Sequence, residues 1–153
     1  MFKKILVPID GSKSADKALD FALDLAKKYS AEIKIITVFD EPSPSLLAQG
    51  TIFIPSTTEN YLEKAKDFHE KILIEAQKKA KKVNPKLKAS QNLLTGRPAD
   101  KIVEKAKEEE SDLIVMGSRG LGGIKELLLG SVSDRVADRA SCPVLIVKNE
   151  IDK

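Results

Sequence analysis

The sequence predicts an α/β protein: an open, doubly wound sheet of five parallel strands in the order 3-2-1-4-5, with helices on both faces. Three observations lead there. The apolar period switches between short runs and helical spacing five times along the chain, the pattern of right-handed βαβ crossovers. The first and fourth runs, Ile5-Leu6-Val7-Pro8-Ile9 and Leu113-Ile114-Val115-Met116, are nearly continuous in apolar residues, as strands buried on both faces must be. The third run carries Lys88, Ser90, Gln91 and Asn92 and suits an edge.

In chain order, Lys3 to Ile9 reads as the first strand. Ser12 can cap the helix that follows, in which Ala18, Ala22, Leu25, Ala26 and Tyr29 recur at helical spacing. Ile33 to Phe39, rich in β-branched residues, is the second strand. Asp40 to Thr58 holds Pro42, Pro44, Gly50 and Pro55; an irregular segment of this length is a functional or mobile loop. A long helix follows from about Glu59 to Val83, with Tyr61, Ala65, Phe68, Ile72, Ala76 and Ala80 as its inner stripe. Asn84-Pro85 stops it. Leu87 to Leu94 is the third strand, and Arg97-Pro98 opens a helix running to about Glu110. Leu113 to Met116 is the fourth strand, ended by Gly117. A helix near Val132 to Ala140 and a strand from Pro143 to Val147 complete the chain, read as one domain over residues 1–153.

The order 3-2-1-4-5 puts a switch point between strands one and four. In sheets of this kind ligands bind beyond the carboxyl ends of the strands, at that crevice. The residues waiting there are Asp10-Gly11 and the stretch from Gly117 onward.

Composition narrows the function classes. With 42% hydrophobic and 32% charged residues over 153 positions, the chain is globular and large enough for one core. A formal net charge of +3 is too small to imply nucleic acid. Cys142, the sole cysteine, makes neither an internal disulfide nor a cysteine-based metal site. The opening apolar run is shorter than a signal-peptide core, and nothing approaches the roughly 18 to 20 apolar residues that span a bilayer. These readings place the chain in the cytoplasm, away from membranes.

The informative stretch runs from Gly117 to Val132. Four glycines, at 117, 120, 122 and 123, follow directly on a buried strand and let backbone approach a ligand. Their amides can converge on phosphate oxygens. Gly130-Ser131 immediately precedes a helix, whose N-terminus favours an anion. The stretch is not a P-loop, since no glycine is followed by the Lys and hydroxyl pair. It is not the dinucleotide fingerprint either, since Gly120-Leu121-Gly122 leads to Lys125. Taken alone, a flexible turn with Ser131 as an ordinary cap stands about level with a phosphate cradle.

Gly117-x-x-Gly120, nine residues, then Gly130-Ser131 resembles the G-2x-G-9x-G-[S/T] motif of the ATP-binding branch of the universal stress protein family. Ile5 to Ser12 is similar to that family's first strand and turn, and Leu113 to Gly117 to its fourth strand. Gly130-Ser131-Val132-Ser133 and Cys142 to Val147 resemble its closing segment. The likeness runs in order along essentially the whole chain; the Asp40 to Thr58 loop is the least similar part. It implies a Rossmann-like, adenine nucleotide alpha-hydrolase-like fold and a stress-response or signalling role. It also implies that Gly117, Gly120, Gly130 and Ser131 surround ribose and phosphates, with Val132 following. Asp10 would sit by adenine and ribose, and Arg119 would add a phosphate contact. Pro8, Val38 and Met116 would form the adenine slot, although core packing explains Val38 and Met116 equally well. ATP is the implied ligand, with AMP or ADP as alternatives and Mg2+ or Mn2+ carried on the phosphates rather than by a protein metal site.

Other residues carry less. His69, the only histidine, reads as a surface or boundary residue, and Cys142 as a small buried hydrophobe. The lysines at 78, 79, 81 and 82 read as a solvated helix face. The fifth strand is apolar, β-branched and at an edge, which predicts a homodimer formed by antiparallel pairing of residues 143–147; the likeness to the family suggests the same. A second reading is a slow ATP or phosphoester hydrolase rather than a dedicated enzyme, with Asp10, Glu126 and Asp134 as default candidates for positioning water. A third is an interaction module, without nucleotide, acting on an unknown protein partner.

Overall fold

A computed structural model of the chain describes residues 1–40, 45, 48–50, 58–120 and 129–149. Strands β1 (Lys4–Pro8), β2 (Glu32–Phe39), β3 (Ala89–Thr95), β4 (Leu113–Gly117) and β5 (Val144–Val147) alternate with helices α1 (Lys13–Tyr29), α2 (Thr58–Val83), α3 (Pro98–Glu108) and α4 (Ser131–Arg139). The five strands form one sheet in the order β3-β2-β1-β4-β5, as the sequence predicts. Every neighbouring pair is parallel, with Ile5 facing Ile33 on one side and Leu113 on the other.

Side chains alternate across the sheet, so each face has its own core. On one face Ile5, Val7, Ile33, Ile35 and Val115 pack under α1 and α2, against Leu19, Leu23, Leu73 and Ala80. On the other, Leu6, Ile36, Ile114 and Met116 pack under α3 and α4, against Ala99, Ile102 and Val136. Leu6, Val7, Ile35, Ile36, Ile114 and Val115 are wholly inaccessible to solvent. That is why β1 and β4 read as unbroken apolar runs: neither face meets water.

Helix α1 begins where expected. The Ser12 side chain accepts from the Ala15 amide at 3.2 Å, and Ser30 closes the helix in the left-handed conformation at φ 55°. Its buried stripe is broader than the alanine pattern suggests, because Ala15, Leu19 and Leu23 join it. Tyr29 stays at the rim, edge-on to Phe2.

The inner stripe of α2 matches the expected one in its carboxyl half, where Ala76 and Ala80 are buried and Ile72 packs against the core, joined by Leu73. It differs toward the amino end, where Tyr61 is 56% and Phe68 48% exposed. The carboxyl half of α2 lies over β2 and β3, and there the small residues at 76 and 80 permit close approach. The aromatics sit earlier on the helix and away from that contact. Lys79 ties α2 to α1 by ion pairs to Asp16 at 2.8 Å and Asp20 at 2.7 Å. Lys78 pairs with Glu75 on the same helix, consistent with a solvated face. Most of the Asp40 to Thr58 loop lies outside the described residues.

Candidate functional site

The switch point lies where β1 and β4 deliver their carboxyl ends side by side. Beyond β1 the chain turns through Asp10-Gly11-Ser12. Gly11 has φ 87°, a conformation that favours glycine, and the Asp10 Oδ1 accepts from the Ser12 amide at 2.9 Å. The turn therefore holds the Asp10 carboxylate beside Gly120, in the segment that follows β4, while starting α1.

Beyond β4 the backbone is held from two sides. The Ser118 carbonyl accepts from the Gly130 amide at 2.7 Å and from the Ser133 hydroxyl at 2.7 Å, both at the start of α4. The Arg119 carbonyl accepts from the Ser14 hydroxyl at 2.6 Å and the Ser12 hydroxyl at 3.3 Å, both at the start of α1. Gly130 is the N-cap of α4 and Ser131 its first helical residue, so Ser131 is not the cap. The Ser133 hydroxyl turns back to the Gly130 carbonyl at 3.0 Å.

These segments enclose a cavity of about 530 Å³, within the range of small-molecule sites. All ten residues singled out in the sequence line it: Pro8, Asp10, Val38, Met116, Gly117, Arg119, Gly120, Gly130, Ser131 and Val132. Pro8, Val38 and Met116 come from three adjacent strands and share the α3/α4 face, forming an apolar wall. Met116 is only 5% exposed, so it serves the core as well as the cavity. Arg119 supplies a cation to the wall, and Asp10 and Asp40 supply carboxylates. Both α4, through Ser131, and α3, through Pro98, begin at the cavity, so two positive helix ends face it.

The sequence reading missed Ile9, Ala15, Asp40, Pro98, Ile102 and Ser133. The strand order itself carried the signal for two of them, since Asp40 follows β2 and Pro98 opens α3 at the same end of the sheet. Gly122, Gly123 and Glu126 lie outside the described residues. Of the other default candidates for positioning water, Asp10 lines the cavity and Asp134 does not.

The glycines have different reasons to be glycine. At Gly117 a Cβ would collide with the Ser14 side chain and come 2.7 Å from the Ala15 backbone nitrogen. That glycine lets α1 close onto β4, a packing role where ligand access was expected. At Gly120 a Cβ would come 2.7 Å from the Asp10 Oδ2, and at Gly130 3.2 Å from the Ser118 carbonyl oxygen.

Two other concavities lack this convergence. One of about 760 Å³ between α1 and α2 has an apolar floor and a lysine rim; the other, about 280 Å³, lies at the amino ends of the strands. His69 is half-buried beside Phe39, its Nδ1 2.7 Å from the Ala65 carbonyl oxygen. Cys142 is half-buried against the α3/α4 core, and burial pushes its thiol above the ordinary value. No group of three His, Cys, Asp or Glu side chains among the described residues could hold a metal ion. None of the described helices is long and apolar enough to cross a membrane.

A doubly wound sheet whose switch-point cavity is walled by glycines, latched carbonyls and two helix N-termini places the chain among the doubly wound α/β domains. The profile of the universal stress protein family matches residues 1–148, and the chain belongs to that family. Universal stress protein YxiE of Bacillus subtilis is 40% identical, the match covering 97% of this chain and all of YxiE. Among solved structures, that of MJ0577, a protein of Methanocaldococcus jannaschii, superimposes with a TM-score of 0.80 at 29% identity, covering 98% of each chain. A universal stress protein crystallised in complex with cAMP gives a TM-score of 0.71 at 32% identity, over 95% of this chain and 97% of that one.

Proposed function

We propose that this universal stress protein binds an adenine nucleotide in the switch-point cavity, ATP by preference, and works as a dimeric, nucleotide-dependent stress-response or signalling protein. The observation that carries the reading is the convergence of Pro8, Asp10, Val38, Met116, Gly117, Arg119, Gly120, Gly130, Ser131 and Val132 on one cavity of about 530 Å³. The relative crystallised with cAMP supports an adenine nucleotide as the ligand class.

The cavity's chemistry is divided to suit such a ligand. The wall of Pro8, Val38 and Met116 offers an apolar slot for a flat base. The Asp10 carboxylate can accept from sugar hydroxyls, and Arg119 with the start of α4 favours anionic oxygens. Several amides and the cation act together here, since one helix terminus contributes only about 0.3–1 kcal/mol when exposed. Mg2+ or Mn2+ would arrive on the phosphates and neutralise part of their charge. Among the described residues the carboxylates on the wall are Asp10 and Asp40, too few to hold the ion alone.

The dimer reading rests on β5, an edge strand with Leu145 36% exposed. Antiparallel pairing of two copies across residues 143–147 would satisfy both edges.

Titration calorimetry with Mg-ATP tests the nucleotide reading. Saturable one-site binding is expected, with AMP and ADP competing. A folded protein giving no saturable heat refutes it. Native mass spectrometry of freshly purified protein gives a parallel check, as a nucleotide mass adduct on the chain.

A further inference from the structure

We infer that Ser14, a residue outside the cavity wall, positions the glycine loop by turning the Gly120 amide into the cavity; the inference rests on the nucleotide reading above. The Arg119 carbonyl and the Gly120 N–H belong to one peptide unit, and no described peptide bond is cis. In a planar trans unit the two groups point in opposite directions. The carbonyl is drawn toward the first turn of α1 by Ser14 at 2.6 Å, with Ser12 assisting at 3.3 Å. Helix α1 packs on one face of the sheet, whereas Val38, Met116 and Val132 belong to the core of the other face. Pulling the carbonyl toward α1 therefore directs the Gly120 N–H toward the cavity that these residues line.

The latch is built to hold. Ser14 is 2% exposed, so water cannot replace its hydroxyl at the carbonyl. Gly117 lets α1 approach closely enough for the bond to form, because any Cβ there would strike Ser14. The preceding peptide unit is fixed independently, the Ser118 carbonyl being held by Gly130 and Ser133 from α4. Ser14 and Ser133 thus clamp consecutive peptide units between two helix starts. Gly120 thus offers a preset N–H to an anionic oxygen, which is how preorganisation raises affinity.

The test compares wild type, Ser14→Ala and Thr37→Val. Thr37 is a suitable control: it is 1% exposed, its hydroxyl has no partner among the described residues, and it lies off the cavity wall. Two quantities are read: Mg-ATP affinity by calorimetry, and the Gly120 backbone amide resonance by NMR. Ser14→Ala should weaken Mg-ATP about tenfold, roughly 1.4 kcal/mol. It should also shift the Gly120 amide in nucleotide-free protein, with Thr37→Val doing neither. Wild-type affinity in Ser14→Ala, or equal losses in both variants, overturns the proposal. If wild type binds no Mg-ATP while Ser14→Ala still moves the Gly120 amide, the latch stands and the nucleotide reading falls. Should Ser14→Ala fail to fold, the wild type alone decides: the Gly120 amide must shift on saturation with Mg-ATP, and an unmoved resonance overturns the inference.

Discussion

The carboxylate of Asp10 occupies the space that a side chain at position 120 would need: a Cβ on Gly120 would come 2.7 Å from Asp10 Oδ2. The segments that follow the first and fourth strands thus meet at the cavity through a carboxylate on one and a missing side chain on the other.

Gly120→Ala puts a methyl group at the end of the Asp10 side chain, which gives way more readily than backbone, at the expense of its bond to the Ser12 amide. The fold should survive with its thermal midpoint nearly unchanged, while the displaced carboxylate and loop weaken Mg-ATP binding about tenfold or more. Calorimetry alongside thermal unfolding separates the two effects. Unchanged affinity would show that Asp10 and the loop do not share a ligand.

Gly117→Ala should behave in the opposite way. Its methyl group meets the Ala15 backbone nitrogen at 2.7 Å, and a helix start cannot yield as a carboxylate can. Overpacking of this kind costs about 1–3 kcal/mol. The urea midpoint should fall by a corresponding amount, so any loss of nucleotide binding by this variant is secondary to loss of structure.

At the amino ends of the strands, Glu109 accepts ion pairs from Lys105 at 3.1 Å and Lys34 at 3.3 Å. The hydrogen bond from Lys105 outweighs burial, and with help from Lys34 it holds the Glu109 carboxyl below the usual glutamate value. A depressed folded-state pKa stabilises the protein above the unfolded value of about 4.3, and that contribution disappears as pH falls through the folded value. Glu109→Gln should therefore cost stability at pH 7, by less than about 1 kcal/mol for so exposed a network. The difference from wild type should shrink as pH falls below the unfolded value of about 4.3 and disappear once the pH is below the lowered folded value. Urea melts at descending pH provide the check; a gap that does not narrow as the pH falls would contradict the assignment.

Leu145→Lys places a charge in the middle of the β5 edge. Lysine on an edge strand opposes pairing with another chain. Sedimentation at micromolar concentration should show wild-type dimers and variant monomers with the same circular dichroism. A wild-type protein that sediments as a monomer removes the dimer from the functional reading.

What could be read from sequence followed from how local each signal is. The strand order came from apolar continuity in β1 and β4 and polarity in β3, properties of single segments. The ten cavity residues came from the likeness to the universal stress protein family, whereas the switch-point rule alone pointed to Asp10-Gly11 and the stretch from Gly117 onward. The α2 stripe was right at Ile72, Ala76 and Ala80 but was carried too far toward the amino end, because Tyr61 and Phe68 match helical spacing, whereas which turns of that helix touch the sheet depends on β2 and β3. Ser14 and Ser133 escaped notice for a related reason. Their partners at positions 119 and 118 are 105 and 15 residues away, and a serine near a helix start already has a local explanation as a cap or turn residue. Gly117 was recognised, but for ligand access; only the position of α1 reveals that packing demands it.

The two cores on opposite sides of the sheet are unequal, and the cavity opens onto the one beneath α3 and α4. Val38, Met116 and Val132 belong to that core and to the cavity wall at once. Any flat apolar group seated there adds a further layer to the packing beneath those two helices. Ligand should therefore slow amide exchange in α3 and α4 more than in α2, while α1 responds only at its first turn, where Ala15 lines the cavity.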